Sequence, residues 1–271
     1  MKIAVTRGVS AAIDRCALTH ASRQPIDLER ARSQHAAYEQ RLAETGCSIV
    51  RLPRADDLPD SVFVEDAAVV FAELAVITRP GAPSRLPETT AVADALRAFR
   101  PLRRIEPPAT LDGGDVLVIG RHVFVGRSRR TSAEAVAQVE RLLDPYGYAV
   151  HAVPVRGCLH LKSAVTAVSD EALLVKRQWV PVESFRSFDL IDVDAAEPGA
   201  ANALRVGDQV IYPSSHPRTC ARLEGAGIRV LPVDIGELAK AEGAVTCCSL
   251  VFDAPFSLLR SKSSPIERPD C

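Results

Sequence analysis

Long apolar runs are missing from this 271-residue chain, and no hydrophobic stretch approaches the roughly 18 residues that a membrane helix needs. An excess of one charge is also missing, because 33 Lys and Arg residues balance 34 Asp and Glu residues to a net charge of −1. The first residues lack the apolar core of a secretory signal. These absences predict a protein with no membrane contact, no export step and no nucleic-acid surface.

Three common signatures of cofactor or nucleophile sites are absent as well. The chain contains no glycine-rich phosphate loop, no dinucleotide fingerprint and no Gly-x-Ser-x-Gly elbow. What remains is the composition of an ordinary globular protein, with 47% hydrophobic and 25% charged residues. No segment rich in Gly, Pro or Ser divides the chain. We therefore predict a single catalytic domain over residues 1–252 and a polar C-terminal tail over residues 253–271.

The cysteines indicate a reducing environment. They are odd in number and irregular in spacing, which argues for free thiols rather than a disulfide framework. A cytoplasmic location is the prediction that follows. The seven residues are Cys16, Cys47, Cys158, Cys220, Cys247, Cys248 and Cys271.

Apolar runs broken by short turns predict β-hairpins along the chain. Residues 1–7 are expected to form an edge strand, and residues 244–252 a last apolar strand. Four hairpins are predicted to turn at residues 72–73, 120–121, 169–171 and 207–208. Apolar residues at helical spacing predict helices between them, over residues 27–44, 88–99, 132–143 and 237–242.

The hairpins recur about every 45 residues, a period typical of repeat architectures. Hairpins joined by crossover helices, repeated about five times around a pseudo-symmetry axis, would give this spacing. An ordinary α/β sandwich with hairpins would give it too. The class is α/β in both cases, and spacing alone leaves the two open.

Two cysteines, Cys247 and Cys248, lie together in the last apolar segment. Cysteine is often a small buried hydrophobe, so a core position is the default for each thiol. Neighbours on a strand face opposite sides. We therefore expect one of the pair to be a core residue and the other to be available as a nucleophile.

A histidine, His160, follows Cys158 among apolar residues at the start of a predicted strand. A buried structural histidine is the default, but a general base is the usual partner of a reactive thiol. Cys158 and His160 would share one face of the strand, so a metal site is conceivable. Two ligands alone are weak evidence for a metal.

Carboxylates concentrate in two short segments. In residues 110–115 (TLDGGD) the paired glycines could form a turn capped by both aspartates, or one aspartate could orient an imidazole. In residues 59–66 (PDSVFVED) three carboxylates stand in an otherwise apolar segment. Buried carboxylates are costly unless a cation neutralises them, which favours a cationic ligand over a solvated strand edge.

In this order the motifs resemble those of the dimethylarginine dimethylaminohydrolase family, within the guanidino-group-modifying superfamily. The resemblance extends from the N-terminus to about residue 252. It implies the pentein fold, an α/β-propeller of five pseudo-symmetric ββαβ-like modules around a central active site. The motifs are residues 59–66 (PDSVFVED), 77–81 (ITRPG), 110–115 (TLDGGD), 126–131 (GRSRRT), 159–162 (LHLK) and 246–249 (TCCS).

The resemblance implies a role for each of ten residues. Cys247 is the nucleophile, His160 is the general acid and base, and Asp112 orients the histidine at a position the family fills with Asp or Glu. The implied substrate contacts are Asp66 on the guanidinium with Glu65 beside it, Arg85 and Arg130 around the α-carboxylate, and Leu18, Asp60 and the backbone near Ala244. Cys248 is taken as structural, and Phe63 as core or as an apolar wall.

The implied reaction converts Nω,Nω-dimethyl-L-arginine, or its monomethyl analogue, to L-citrulline and dimethylamine or methylamine through a covalent thiouronium. The partner is thus a small methylated arginine, and neither a metal nor an organic cofactor is required. A guanidinium is planar and cationic, which suits carboxylate partners. Since a free thiol has a pKa of ~8.5, we hypothesise that the bound cation promotes ionisation of Cys247.

Lys162 bears on the choice of substrate. Enzymes resembling arginine deiminase carry an aspartate at this position, two residues after the histidine, which gives the guanidinium a second carboxylate. A lysine here favours a methylated substrate. The alternatives are a hydrolase of another guanidine, such as arginine, and a non-catalytic pentein binding module. A homodimer through an edge hairpin is compatible with the fold class, and the sequence does not decide it.

Overall fold

The computed structural model describes residues 1–254, so all but two residues of the predicted tail lie outside the described part. These residues form five three-stranded sheets. In chain order the strands are β1 (Lys2–Arg7), β2 (Cys47–Leu52), β3 (Ala68–Val70), β4 (Ala75–Ile77), β5 (Leu102–Arg104), β6 (Val116–Ile119), β7 (His122–Arg127), β8 (Ala149–Pro154), β9 (Val165–Ala167), β10 (Ala172–Val175), β11 (Asp189–Asp192), β12 (Leu204–Val206), β13 (Gln209–Pro213), β14 (Arg229–Val233) and β15 (Leu250–Asp253).

All five sheets have the same internal plan. Two strands pair antiparallel, and a third strand joins the middle one in parallel, as β3, β4 and β5 do. A parallel third strand requires a crossover, and in four sheets that crossover contains an α-helix. The α-helices are α1 (Leu28–Glu44), α2 (Glu88–Leu96), α3 (Ala133–Leu143), α4 (Leu161–Ala164), α5 (Pro217–Gly225) and α6 (Gly236–Ala239).

The first sheet joins the two ends of the described chain. Strand β15 pairs antiparallel with β1, with Ile3 opposite Phe252, while β2 pairs with β1 in parallel. A cavity of about 400 Å³ is lined by residues of β3, β6, β9 and β12 and by Leu250 and Val251 of β15. One strand of every sheet therefore faces a common centre, which confirms the five-module arrangement over the ordinary sandwich.

Helix starts follow the capping residues of the sequence. The side chain of Asp27 accepts a hydrogen bond from the backbone N–H of Arg30, and that of Ser132 accepts one from Ala135. Side-chain acceptors at these positions satisfy N–H groups that the first helical turn leaves unpaired. The helices predicted at residues 27–44 and 132–143 consequently begin one residue after the predicted start, and the helix predicted at 237–242 is the single turn α6.

Three local predictions were wrong. Strand β1 lies in the middle of its sheet rather than at an edge, because β15 arrives from the far end of the chain. Residues 244–249 form turns, and only residues 250–253 are strand. Cys158 and His160 precede α4 in an irregular segment, so they do not share a strand face. In the described part of the chain, no helix has the length and apolarity to cross a bilayer.

Candidate active site

A small pocket next to the central cavity collects side chains from distant parts of the chain. Six of the predicted site residues line it: Cys247, His160, Asp66, Asp60, Arg85 and Arg130. The remaining lining residues are Ala17, Phe63, Leu159, Ala241 and Glu242. Phe63 is both core and wall, since it is only 4% exposed and packs in the first hydrophobic cluster.

His160 is held by Asp112, which lies directly behind it. The ring nitrogen Nε2 lies 3.0 Å from Oδ2 of Asp112, whose Oδ1 accepts a hydrogen bond of 2.7 Å from the backbone N–H of Gly81. Asp112 is fully buried and caps no helix through its side chain. Of the two roles left open by the sequence, orientation of the imidazole is therefore the one this geometry supports.

The two glycines after Asp112 are required by close packing. A Cβ on Gly113 would lie 1.9 Å from the carbonyl oxygen of Glu65. A Cβ on Gly114 would lie 2.5 Å from Nδ1 of His160 and 2.8 Å from Oδ1 of Asp66. Glycine lets one backbone approach another this closely. The pair therefore lets the segment that carries Asp112 pack against both the histidine and the acidic segment.

Asp115 is a positioning residue that the sequence did not single out. Its carboxylate is buried and accepts hydrogen bonds from the Leu161 backbone N–H at 2.8 Å, Ser128 at 2.6 Å and Thr131 at 2.7 Å. Burial, only partly offset by the charge of His160 and these hydrogen bonds, raises the pKa of Asp115 to about 6. The bond to Leu161 fixes the backbone immediately after His160. The sequence signal that could have identified Asp115 is its position directly after the two glycines.

The electrostatic field around His160 favours its charged form. Burial lowers the pKa of an imidazole, but the carboxylates of Asp66, Asp112 and Asp115 outweigh burial and raise the pKa of His160 to about 9. Its Nδ1 lies 3.9 Å from Oδ1 of Asp66, on the side away from Asp112. At neutral pH, His160 is therefore an imidazolium that can donate a proton into the pocket.

Cys247 lies in the turns between α6 and β15. Its backbone carbonyl accepts a hydrogen bond of 3.1 Å from the Glu65 N–H, and the Tyr38 hydroxyl donates to the neighbouring Val245 carbonyl at 2.8 Å. Burial raises the pKa of the Cys247 thiol, and the carboxylates of Glu65 and Asp66 raise it further. Both effects favour the neutral thiol over the thiolate.

Cys248 faces the core rather than the pocket. It is completely buried in the first hydrophobic cluster, and its thiol lies 3.6 Å from the carbonyl oxygen of Ala244. This confirms that only one of the two adjacent cysteines reaches the pocket. The sequence predicted that strand alternation would separate the two thiols. In the structure they are separated by turn geometry instead.

Asp66 and Arg85 form a buried ion pair at one side of the pocket. Nη1 of Arg85 donates to Oδ2 of Asp66, Nη2 donates to the Phe63 carbonyl at 2.9 Å, and both Nε and Nη2 bind Glu88. Oδ1 of Asp66 accepts from the Gly114 N–H at 2.9 Å. Burial would raise the pKa of Asp66, but His160 and Arg85 outweigh it and keep the pKa below its ordinary value. Asp66 therefore stays anionic.

Two further predicted contacts, Asp60 and Arg130, hold the segment around Ala17, which lines the pocket. Asp60 accepts the backbone N–H of Ala17 at 3.2 Å through both carboxylate oxygens. Arg130 donates to the Thr19 hydroxyl at 3.0 Å and lies 3.8 Å from Asp112. Burial raises the pKa of Asp60 despite the nearby Arg85.

Glu65 turns away from the pocket toward the central cavity. Its carboxylate accepts hydrogen bonds from Lys162 Nζ at 2.6 Å and from the Thr246 hydroxyl at 2.8 Å. Glu65, Lys162 and Thr246 line the central cavity, whereas Asp66, His160 and Cys247 line the pocket. The neighbouring side chains of Glu65 and Asp66 thus point in opposite directions. The backbone between them separates the central cavity from the pocket.

Leu18 and Ala244 also lie outside the pocket lining. Leu18 is half-buried and packs against the first hydrophobic cluster, while its neighbour Ala17 lines the pocket. Ala244 accepts the backbone N–H of Cys247 at 3.1 Å, and the lining residues before Cys247 are Ala241 and Glu242. Residues 241–244 have little motif character, so nothing in the sequence distinguished Ala241 and Glu242 from Ala244.

Asp66, Asp112 and His160 are the one cluster in residues 1–254 with three potential metal-ligand atoms within 4.8 Å of one another. Each already has a partner: His160 binds Asp112, and Asp66 binds Arg85. A ligating histidine must be unprotonated, whereas this one has a raised pKa. The charges of this cluster are thus balanced by protein groups.

Comparison with known proteins places this geometry in context. The family model described as "N,N dimethylarginine dimethylhydrolase, eukaryotic" matches residues 5–251. The N(G),N(G)-dimethylarginine dimethylaminohydrolase of Streptomyces coelicolor is 42% identical over 250 residues, which cover 92% of this chain and 96% of the relative.

Two solved structures have the same fold over nearly their whole length. A cysteine-to-serine mutant of the Pseudomonas aeruginosa enzyme, complexed with citrulline, has a TM-score of 0.87 and 34% identity, covering 92% of this chain and 98% of that one. A dimethylarginine dimethylaminohydrolase with histidine replaced by glycine, in adduct with S-methyl-L-thiocitrulline, has a TM-score of 0.88 and 34% identity, covering 93% and 100%. These similarities confirm the pentein fold.

Proposed function

The chain belongs to the dimethylarginine dimethylaminohydrolase family, and we propose that it hydrolyses Nω,Nω-dimethyl-L-arginine to L-citrulline and dimethylamine, and the monomethyl compound to citrulline and methylamine. One observation carries the proposal. Cys247, His160 and Asp66 line one small pocket, and His160 is bonded to the buried Asp112 at 3.0 Å. A thiol, a charged imidazole and an unprotonated carboxylate are the groups needed to bind and open a guanidinium.

Binding of the substrate would change the charge balance of the pocket. The guanidinium pairs with Asp66, whose anionic form is already favoured by His160 and Arg85. Asp60 and Arg130 receive the α-ammonium and α-carboxylate ends, since each side chain presents the opposite charge at the pocket wall. A cation beside the thiol offsets the carboxylates that raise the pKa of Cys247, so that its proton leaves to solvent and a thiolate forms.

Proton transfer by His160 then divides the reaction into two halves. The thiolate attacks the guanidinium carbon, and the tetrahedral adduct collapses as His160 gives its proton to the departing dimethylamine. A covalent thiouronium remains on Cys247. His160, now neutral, removes a proton from water, whose oxygen attacks the same carbon. The carbon–sulfur bond breaks, citrulline leaves, and Asp112 holds the imidazole throughout.

The position of Lys162 supports the preference for methylated substrates. In place of a second carboxylate, the chain has a lysine whose ammonium group binds Glu65 on the side of the central cavity. A buried carboxylate left unpaired by a methylated nitrogen would cost about 1–3 kcal/mol. With Asp66 as the single pairing carboxylate and Phe63 in the wall, methyl groups meet no such penalty.

Parallel incubations test the proposal. The protein is given dimethylarginine or arginine, and citrulline is followed with dimethylamine or ammonia as co-product, with Cys247→Ser as the control. Turnover of the methylated substrate, lost in the variant, is the expected result. Turnover of arginine alone would keep the chemistry and overturn the specificity, and no turnover of either would overturn the function.

Three further predictions concern the domain organisation, the location and the oligomeric state of the protein. A single catalytic unit over residues 1–252 is supported by the pairing of β15 with β1. A cytoplasmic location is supported by the six cysteines of the described part, all of which are free thiols. A homodimer through an edge hairpin stays a prediction, which sedimentation equilibrium would test.

A further inference from the structure

Glu242 takes no part in the chemistry above, yet it lines the same pocket as Cys247. Its carboxylate accepts three consecutive backbone N–H groups from a segment more than 200 residues away. Thr19 donates to Oε2 at 2.9 Å, and His20 and Ala21 both donate to Oε1. We call residues 17–21 the lid segment, because Ala17 lines the pocket and the segment contains no helix or strand.

The backbone of Glu242 is in an uncommon conformation. Its φ is +57°, and it is the one residue other than glycine with a positive φ in the described chain. This left-handed region is unfavourable for a side chain with a Cβ. Gly243 follows, where a Cβ would lie 2.2 Å from the Phe63 ring. The carboxylate is therefore directed at the lid by a backbone that packing holds in place.

The other two bonds to the lid use side chains that the substrate needs. Ala17 is bound by Asp60, and Thr19 is bound by Arg130. If Asp60 and Arg130 receive the ends of the amino acid, as the proposed function requires, these two bonds compete with substrate. The bonds to Glu242 do not compete, because they satisfy backbone N–H groups at the outer, exposed part of the lid.

We propose that Glu242 is a positioning residue that latches the lid segment over the pocket. The latch keeps residues 19–21 in place while Asp60 and Arg130 exchange their hydrogen bonds to the lid segment for bonds to the substrate. It also joins the lid to the segment of the nucleophile, since Glu242 lies five residues before Cys247. This inference rests on the proposed function only for the identity of the competing ligand.

Hydrogen exchange tests the latch without any turnover. Peptides covering residues 17–23 are compared between the full-length protein and Glu242→Gln, which keeps the shape of the side chain but loses its charge. The latch predicts exchange of these amides about tenfold faster in the variant, because hydrogen bonds to a charged acceptor are the stronger ones. Glu140→Gln, on the exposed face of α3, serves as the matched control and should exchange like the parent. Equal exchange in parent and Glu242→Gln would overturn the latch.

Kinetics separate positioning from chemistry. We expect Glu242→Gln to raise KM for dimethylarginine about tenfold and to change kcat by less than about twofold, because only the closed population is affected. Glu242→Asp, which keeps the charge, should recover part of the affinity. A loss of kcat at unchanged KM would contradict the latch. If the parent protein turns over no methylarginine, the proposed function fails, while the exchange experiment still decides the latch.

Discussion

Nε2 of His160 lies 3.0 Å from Oδ2 of Asp112, and a second oxygen of the same carboxylate is bonded to the backbone of Gly81. The histidine is thereby fixed from one side only, and its Nδ1 edge faces Asp66. A ring with one nitrogen committed to a buried carboxylate can exchange protons through the other. This pairing underlies the first prediction.

Replacing Asp112 by Asn should lower turnover by about a hundredfold or more, because the amide neither stabilises the imidazolium nor enforces the correct tautomer. Steady-state kinetics of Asp112→Asn against Asp112→Glu measure the effect. The glutamate variant keeps a carboxylate and should retain more activity than the asparagine variant. Equal activity of both variants would show that charge at this position is unimportant.

The stability of the protein should depend on pH through His160. Its pKa is raised from 6.5 to about 9 on folding, so its charged form stabilises the folded state fully below pH 6.5. That contribution, up to about 3 kcal/mol, is lost as the pH rises through 9. Urea unfolding of the parent and His160→Gln from pH 6 to 9.5 measures it. The difference in unfolding free energy should shrink with rising pH, and a constant difference would refute the assignment.

Gly114→Ala should impair catalysis with little loss of folded protein. The new Cβ would lie 2.5 Å from His160 Nδ1, so the ring must move. A displacement of about 1 Å at a catalytic group costs about a hundredfold in rate. Gly225→Ala is the matched control, since a Cβ there meets no atom within 4 Å. Similar activities of the two variants, at similar melting temperatures, would argue against close packing at Gly114.

Lys162→Met should destabilise the fold by roughly 3–5 kcal/mol, because it leaves the buried carboxylate of Glu65 without its cation. Burial already raises the pKa of Glu65 above its ordinary value even though Lys162 opposes this. The double variant Lys162→Met with Glu65→Gln should recover most of the loss. Denaturant titration of the parent, both single variants and the double variant closes the cycle. Additive losses in the double variant would mean that the two side chains are not coupled.

The architecture was largely accessible from sequence because it repeats. Each module contains a hairpin and a parallel third strand. The spacing of the apolar runs therefore indicates the repeat even where individual strand boundaries are predicted wrongly. The pairing of β15 with β1 was not accessible, since contacts between the chain ends leave no local pattern. For this reason the sequence predicts an edge strand at residues 1–7, whereas β1 is central in its sheet.

The site residues could be predicted from the sequence where the residue type alone determines the possible chemistry. A thiol, a histidine and an acidic segment converge as expected on one pocket. The direction in which each side chain points was less accessible: Glu65 and Asp66 are adjacent, yet they face different cavities. Glu242 had no signal at all, because its role depends on three backbone N–H groups that the sequence does not display.

The covalent intermediate on Cys247 is the central claim, and trapping it is the most direct test. The protein is mixed with dimethylarginine, quenched in acid within the first turnover, digested and examined by mass spectrometry. The adjacent Cys248 provides an internal control, since it is completely buried in the core. The account predicts a thiouronium on Cys247 that forms in Cys248→Ser and is absent in Cys247→Ser. An adduct on Cys248, or citrulline formation by Cys247→Ser, would contradict it.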